Sequence, residues 1–67
     1  MNIGQKISII AQRIDKARRH NEYLLASLDL PEEQENREHN EKMIEKNKIT
    51  IKALEPELSR LQETHND

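Results

Sequence analysis

One sequence feature limits what this chain can become more than any other. Ile3, Ile7, Ile10, Ile14, Ala17, Asn21, Leu24 and Leu28 follow one another in alternating steps of four and three. That spacing keeps a single stripe of side chains on one face of an α-helix. It is the a/d seam of a helix that packs lengthwise against another helix. A second seam follows in Ile44, Asn47, Ile51, Leu54, Leu58 and Leu61. The expected fold class is therefore all-α, an antiparallel helical hairpin of coiled-coil type that dimerises into a four-helix bundle.

The breaker residues agree. A single Gly and two Pro in 67 residues leave little to interrupt long helices. The spacing predicts a first helix over 3–28, about 39 Å long at 1.5 Å per residue. Asn2 is placed to cap it. Gly4 weakens its first turn by about 1 kcal/mol relative to Ala, so some fraying is expected there.

A tight turn is predicted at 29–31, where Pro31 drives Leu30 out of helical geometry and then suits a first helical turn. Asp29 and Glu32 have capping-box spacing. A second helix is predicted over 32–64, with a kink or stop near Pro56 and a fraying tail from Thr64. On the helix surfaces, Asp15/Arg19, Glu33/Arg37 and Glu38/Lys42 have the spacing of supporting ion pairs. All 67 residues form one domain.

Two registers are open to such a hairpin. A three-residue turn pairs Ile3 with Leu58, Ile7 with Leu54, Ile10 with Ile51, Ile14 with Asn47, Ala17 with Ile44, and Asn21 with Asn40. It leaves Leu24 and Leu28 facing Arg37 and Glu33. A slide of one heptad pairs Ile7 with Leu61, Ile10 with Leu58, Ile14 with Leu54, Ala17 with Ile51, Asn21 with Asn47, and Leu24 with Ile44. The slide asks residues 29–39 to act as a long acidic loop against their helix-start signals. The short turn is favoured within the chain, and the slid register is then available between chains.

Size and composition favour a shared core. A domain this small is marginal alone, and with no Phe, no Trp and one Tyr the large core-filling rings are missing. In either register Leu24, Leu25, Leu28 and Leu30 are expected to lack an apolar partner in their own chain. Burial of a Leu contributes about 1.5–3 kcal/mol, so a second molecule is expected to cover them. The self-interface is expected to be the two seams. Asn21, a polar residue at a core position, either fixes register and oligomeric state or marks a wet gap in the seam. A partner protein is expected at the turn end, around Tyr23, Leu25, Leu28 and Leu30.

Charge suggests a competing class. Residues 1–28 hold five Lys or Arg against two acids. Arg13, Lys16, Arg19, His20 and Tyr23 fall on one flank outside the seam, a basic stripe with one aromatic that suits a nucleic-acid backbone. The plainer reading is that these cations face the acids of helix 2, which carries seven Glu against five Lys or Arg over residues 31–55.

Other chemistries find little support. His20, His39 and His65 do not form the inward Glu-x-x-His pairs of a metal-binding bundle. The lone glycine makes no phosphate loop, and there is no nucleophile–base set. With no cysteine there is no disulfide or thiolate site. No enzyme activity, metal or cofactor is expected. Neither a membrane-spanning run nor a signal peptide is evident, so a cytoplasmic location is expected. The function expected is a small regulator or assembly adaptor.

Overall fold

The computed structural model describes residues 2–66 and is an all-α helical hairpin. Helix α1 spans Ile3–Ser27 and helix α2 spans Arg37–Asn66. Between them Pro31–Asn36 form a 3₁₀ helix, which we call η1. The molecule is a rod of 51 × 16 × 14 Å.

Helix α1 starts where Asn2 was expected to cap it. Asn2 Oδ1 accepts from Gln5 N at 2.8 Å, and Gln5 Oε1 accepts from Asn2 N at 3.1 Å. This reciprocal capping box satisfies two first-turn donors and offsets the cost of Gly4. At the other end Leu28 N donates to Leu24 O at 3.2 Å and Asp29 N to Ala26 O at 3.3 Å. The chain leaves the helix at Leu30, which is extended before Pro31.

The connection departs from the expected turn. Neither Asp29 nor any other side chain caps the segment that Pro31 begins. Instead Gln34 reaches back, donating from Nε2 to Leu28 O at 3.2 Å and to Leu30 O at 3.1 Å. Arg37 Nη1 also lies 3.4 Å from Leu28 O. These donors serve the carbonyls that the end of α1 leaves free. The pair expected between Glu33 and Arg37 is absent because 3₁₀ geometry turns those positions apart. Arg37 binds Glu41 at 3.0 Å instead, while Glu33 accepts from Asn36. The other two expected pairs are present, Arg19–Asp15 at 2.9 Å and Lys42–Glu38 at 3.4 Å.

The register of the hairpin is the slid one, and it lies within one chain. Asn47 Nδ2 donates to Asn21 Oδ1 at 2.8 Å, and Asn40 Nδ2 donates to Ser27 Oγ at 3.1 Å. Stepping outward from these bonds sets Leu24 opposite Ile44, Ala17 opposite Ile51, Ile14 opposite Leu54, and Ile7 opposite Leu61. The short-turn pairing is thereby overturned, and the energetics say why. It would leave Leu24 against Arg37, forfeiting about 1.5–3 kcal/mol of burial. It would also set Asn47 against Ile14, where a buried amide without a partner costs about 1–3 kcal/mol. The observed register asks only that Pro31 and the five polar residues after it adopt a tighter helix on the surface. Leu24 is consequently 5% exposed, not uncovered as the sequence suggested.

Helix α2 continues through Pro56, so the stop considered there does not occur. It also continues past Thr64, whose Oγ1 donates to Arg60 O at 3.0 Å. Thr64 and His65 are thus helical, and Asp67 of the expected fraying tail lies outside the described residues.

Candidate functional site

The seam is where the two helices meet, and it has two kinds of lining. Toward the turn it is polar at its centre. Asn21, Ser27 and Asn40 are buried, and each has a partner. Asn21 Nδ2 donates to Ile44 O at 3.2 Å while its Oδ1 accepts from Asn47. Ser27 Oγ donates to Leu24 O at 2.7 Å and accepts from Asn40. Asn47 Nδ2 also lies 3.0 Å from His20 Nδ1. Asn21 is therefore not a wet gap, because its amide bridges to two groups of α2. The sequence offers Asn40 only as a short-turn partner of Asn21, and its pairing with Ser27 is new here. The signal was present, since a step of four back from Ile44 lands on Asn40.

Away from the turn the seam is apolar and partly open. Ile14, Ala17, Leu24, Ile44 and Leu61 are the buried hydrophobic residues, and none is fully enclosed. Ile3, Ile7, Ile10, Ile51, Leu54 and Leu58 belong to the same seams yet are only half-buried. Two helices alone bury one stripe each, and the flanks of these β-branched and leucine side chains stay in water.

The turn-end residues expected to bind a partner do not form one patch. Tyr23 is 67% exposed, Leu25 52% and Leu30 44%, while Leu28 is half-buried. Tyr23 and Leu25 are two residues apart on a helix, about 200° around its axis, so they face opposite sides. Leu25 shares its stripe with Arg18, one heptad earlier. Arg18 reaches across the seam to Glu55 at 3.2 Å. Glu55 lines an open groove of about 510 Å³ on that side, together with Lys48, Ile51, Lys52, Pro56 and Ser59.

The basic stripe is only partly assembled. Arg13, Lys16 and His20 line a second, smaller groove of about 230 Å³ with Ala17, Asn47 and Thr50. Among the described residues Arg13 and Lys16 make no ion pair. Arg19 is turned away and held by Asp15 at 2.9 Å. Tyr23 stands outside this groove. Among the described residues the expectation that helix 1 cations face helix 2 acids is met by one ion pair, Arg18 and Glu55.

Among the described residues no group of three or more His, Cys, Asp or Glu is placed to hold a metal ion. No helix among them is long and apolar enough to cross a membrane. No protein-family model, curated protein or solved structure matches the chain.

Proposed function

We propose that this chain is a small non-enzymatic interaction module that dimerises into a four-helix bundle and acts as a regulator or assembly adaptor by binding another protein. One observation carries the reading. Six apolar seam residues, Ile3, Ile7, Ile10, Ile51, Leu54 and Leu58, are only half-buried in the single hairpin, and Leu25, Leu30, Tyr23 and Ile49 are exposed. A two-helix unit this small has too little enclosed apolar surface to stand comfortably alone. A second hairpin laid along the first encloses the open flanks of both seams, which is how four-helix bundles are built. Sedimentation equilibrium of the purified chain over a wide concentration range tests this. A dimer is the expected result, and a folded monomer at every concentration would overturn the self-association.

A second reading has its own observation. Arg13, Lys16 and His20 border one groove, and Arg13 and Lys16 are free of ion pairs among the described residues. Cations in such an arrangement suit a phosphate backbone. A gel-shift titration against RNA and DNA at two salt concentrations decides. Binding that weakens steeply with salt and is lost in Arg13→Glu/Lys16→Glu would favour a nucleic-acid-binding regulator. No shift at either concentration would leave the protein-binding reading alone.

A further inference from the structure

We propose that two copies of the hairpin pair side by side in opposite directions, with Leu25 of each seated in the Ile51–Pro56 groove of the other. The inference rests on the dimer reading above and adds its orientation and contact.

The first argument is charge along the rod. Residues 21–45, the turn half, carry eight acids and two bases, a net charge of −6. Residues 1–20 and 46–63, the open half, carry nine bases and four acids, a net charge of +5. Hairpins packed with both turns at one end would set like charges together along their whole length. Reversing one hairpin sets the acidic half of each against the basic half of the other.

The second argument is local and concerns matching shapes. Leu25 is an exposed apolar side chain with Glu22 three residues before it and Asp29 four residues after it. The groove on the same side has an apolar floor of Ile51 and Pro56, bordered by Lys48 and Lys52. Neither lysine makes an ion pair among the described residues. An apolar knob flanked by acids thus answers an apolar groove flanked by lysines. Both lie on one face, since Leu25 is one heptad from Arg18 and Arg18 grips Glu55 of the groove.

A two-fold axis makes such a contact twice. Leu25 lies level with Met43 in the observed register. The groove centre lies about eleven residues further along α2, which is about 16 Å at 1.5 Å per residue. Both contacts therefore fit on one rod and the interface closes on itself. The face available is 51 by 16 Å, about 800 Å² per protomer, which is what one partner usually gives to a stable interface.

The chain has no cysteine, so single labels report orientation cleanly. With Glu35→Cys carrying a nitroxide, pulsed electron resonance should find the two turns about 40 Å apart in the dimer, from the same helical rise. Lys48→Glu/Lys52→Glu should weaken self-association by about tenfold or more. Adding Glu22→Lys/Asp29→Lys to that variant should restore it. Leu25→Glu, with helicity checked by circular dichroism, should abolish the dimer. A dimer whose turn labels sit within about 20 Å, as two adjacent parallel rods require, would overturn the orientation and leave the dimer reading intact. So would a dimer indifferent to the charge reversals. A chain that never dimerises would overturn both.

Discussion

The turn half and the open half of this hairpin solve the same packing problem in opposite ways. Toward the turn, Asn21, Asn47, Ser27 and Asn40 spend seam positions on hydrogen bonds across the helix pair. Toward the termini, Ile3, Ile7, Ile10, Leu54 and Leu58 fill the seam with hydrocarbon. The polar half sacrifices burial but fixes one alignment, because only in that register does Asn47 meet Asn21 while Asn40 meets Ser27, and the short turn would leave Asn47 against Ile14. The apolar half would tolerate a slide, since one Ile or Leu meets another much as well. One half sets the register, and the other carries the unburied surface that self-association can use. Specificity and stickiness are separated along the rod.

The largest way to break this comparison is at Leu24. In the observed register it is buried beside the polar cluster, opposite Ile44, while its neighbour Leu25 is half-exposed. Leu24→Ala should cost about 3 kcal/mol, a fall in Tm of more than 10 °C for a chain this small. Leu25→Ala, measured in dilute solution, should cost under about 0.5 kcal/mol. Equal small losses at the two positions would return the hairpin to the short-turn pairing, where both leucines lack a partner.

A smaller effect sharpens the role of the amides. Asn21→Ala and Asn47→Ala should each cost about 1–2 kcal/mol, with a coupling near 1 kcal/mol in a double-mutant cycle. Replacing both by Leu should recover the stability, because paired removal leaves no orphaned polar group. The recovered protein should no longer hold a single register, and its amide spectrum should show more than one set of resonances. A single sharp set in Asn21→Leu/Asn47→Leu would show that the apolar half aligns the helices without help.

Much of this was legible in the residues. The run from Ile3 to Leu28 has no reading other than a helix with a packing seam, and Asn2 marks its start, although the return bond from Gln5 emerges only in the structure. Both candidate registers were also visible, down to the Asn21–Asn47 pair. The choice between them was not, because it depends on the short segment after Leu30. Pro31, Glu32 and Glu33 carry every local sign of an α-helix start, yet that stretch becomes a 3₁₀ turn so that Leu24 and Asn47 find partners farther along. Local preference worth a few tenths of a kcal/mol per residue yields to one leucine and one amide. The proposed interaction surface was legible only in part. Composition shows that leucines near the turn exceed what the hairpin can bury. Which side each one faces depends on helix phase, and that separates Tyr23 from Leu25.

The open half offers a gentler test at its very start. Gly4 sits inside the capped first turn with φ in the ordinary range. A methyl group added there would stand 3.4 Å from Asn2 Oδ1, in van der Waals contact. Gly4→Ala should therefore stabilise the chain by somewhat under 1 kcal/mol, the helix-propensity gain less any adjustment of the cap. Thermal denaturation reads the gain, and loss of the Asn2–Gln5 bonds would reveal itself as a fall in Tm instead. Either result bears on the comparison, because it measures how firmly the apolar half is anchored at its end.

The smallest expected effect concerns charge on the surface of that same half. The Arg60 guanidinium, hydrogen-bonded to Glu57, holds the Glu57 carboxyl below its usual range. Desolvation opposes this, and the positive charges of Arg60 and then Lys6 add smaller pulls in the same direction as the hydrogen bond. Lys6 belongs to α1, so its pull on Glu57 is an attraction between the two helices where, among the described residues, the seam has no hydrogen bonds. The folded carboxyl is the more acidic one, so its contribution to stability is present above the ordinary carboxylate range and is lost as pH falls through the folded value. The pair is open to solvent, and the readout is accordingly the titration itself and not Tm. In Arg60→Ala the Glu57 midpoint, followed by carboxyl NMR, should rise most of the way to an ordinary value. Lys6→Ala should raise it by less, and high salt should erase the Lys6 part while sparing much of the Arg60 hydrogen bond. A midpoint unmoved by Lys6→Ala would mean that Lys6 adds nothing to the hold between the helices at this end. The charge that crosses the open half would then be the Arg18–Glu55 pair at 3.2 Å, with the amides at the other end setting the alignment.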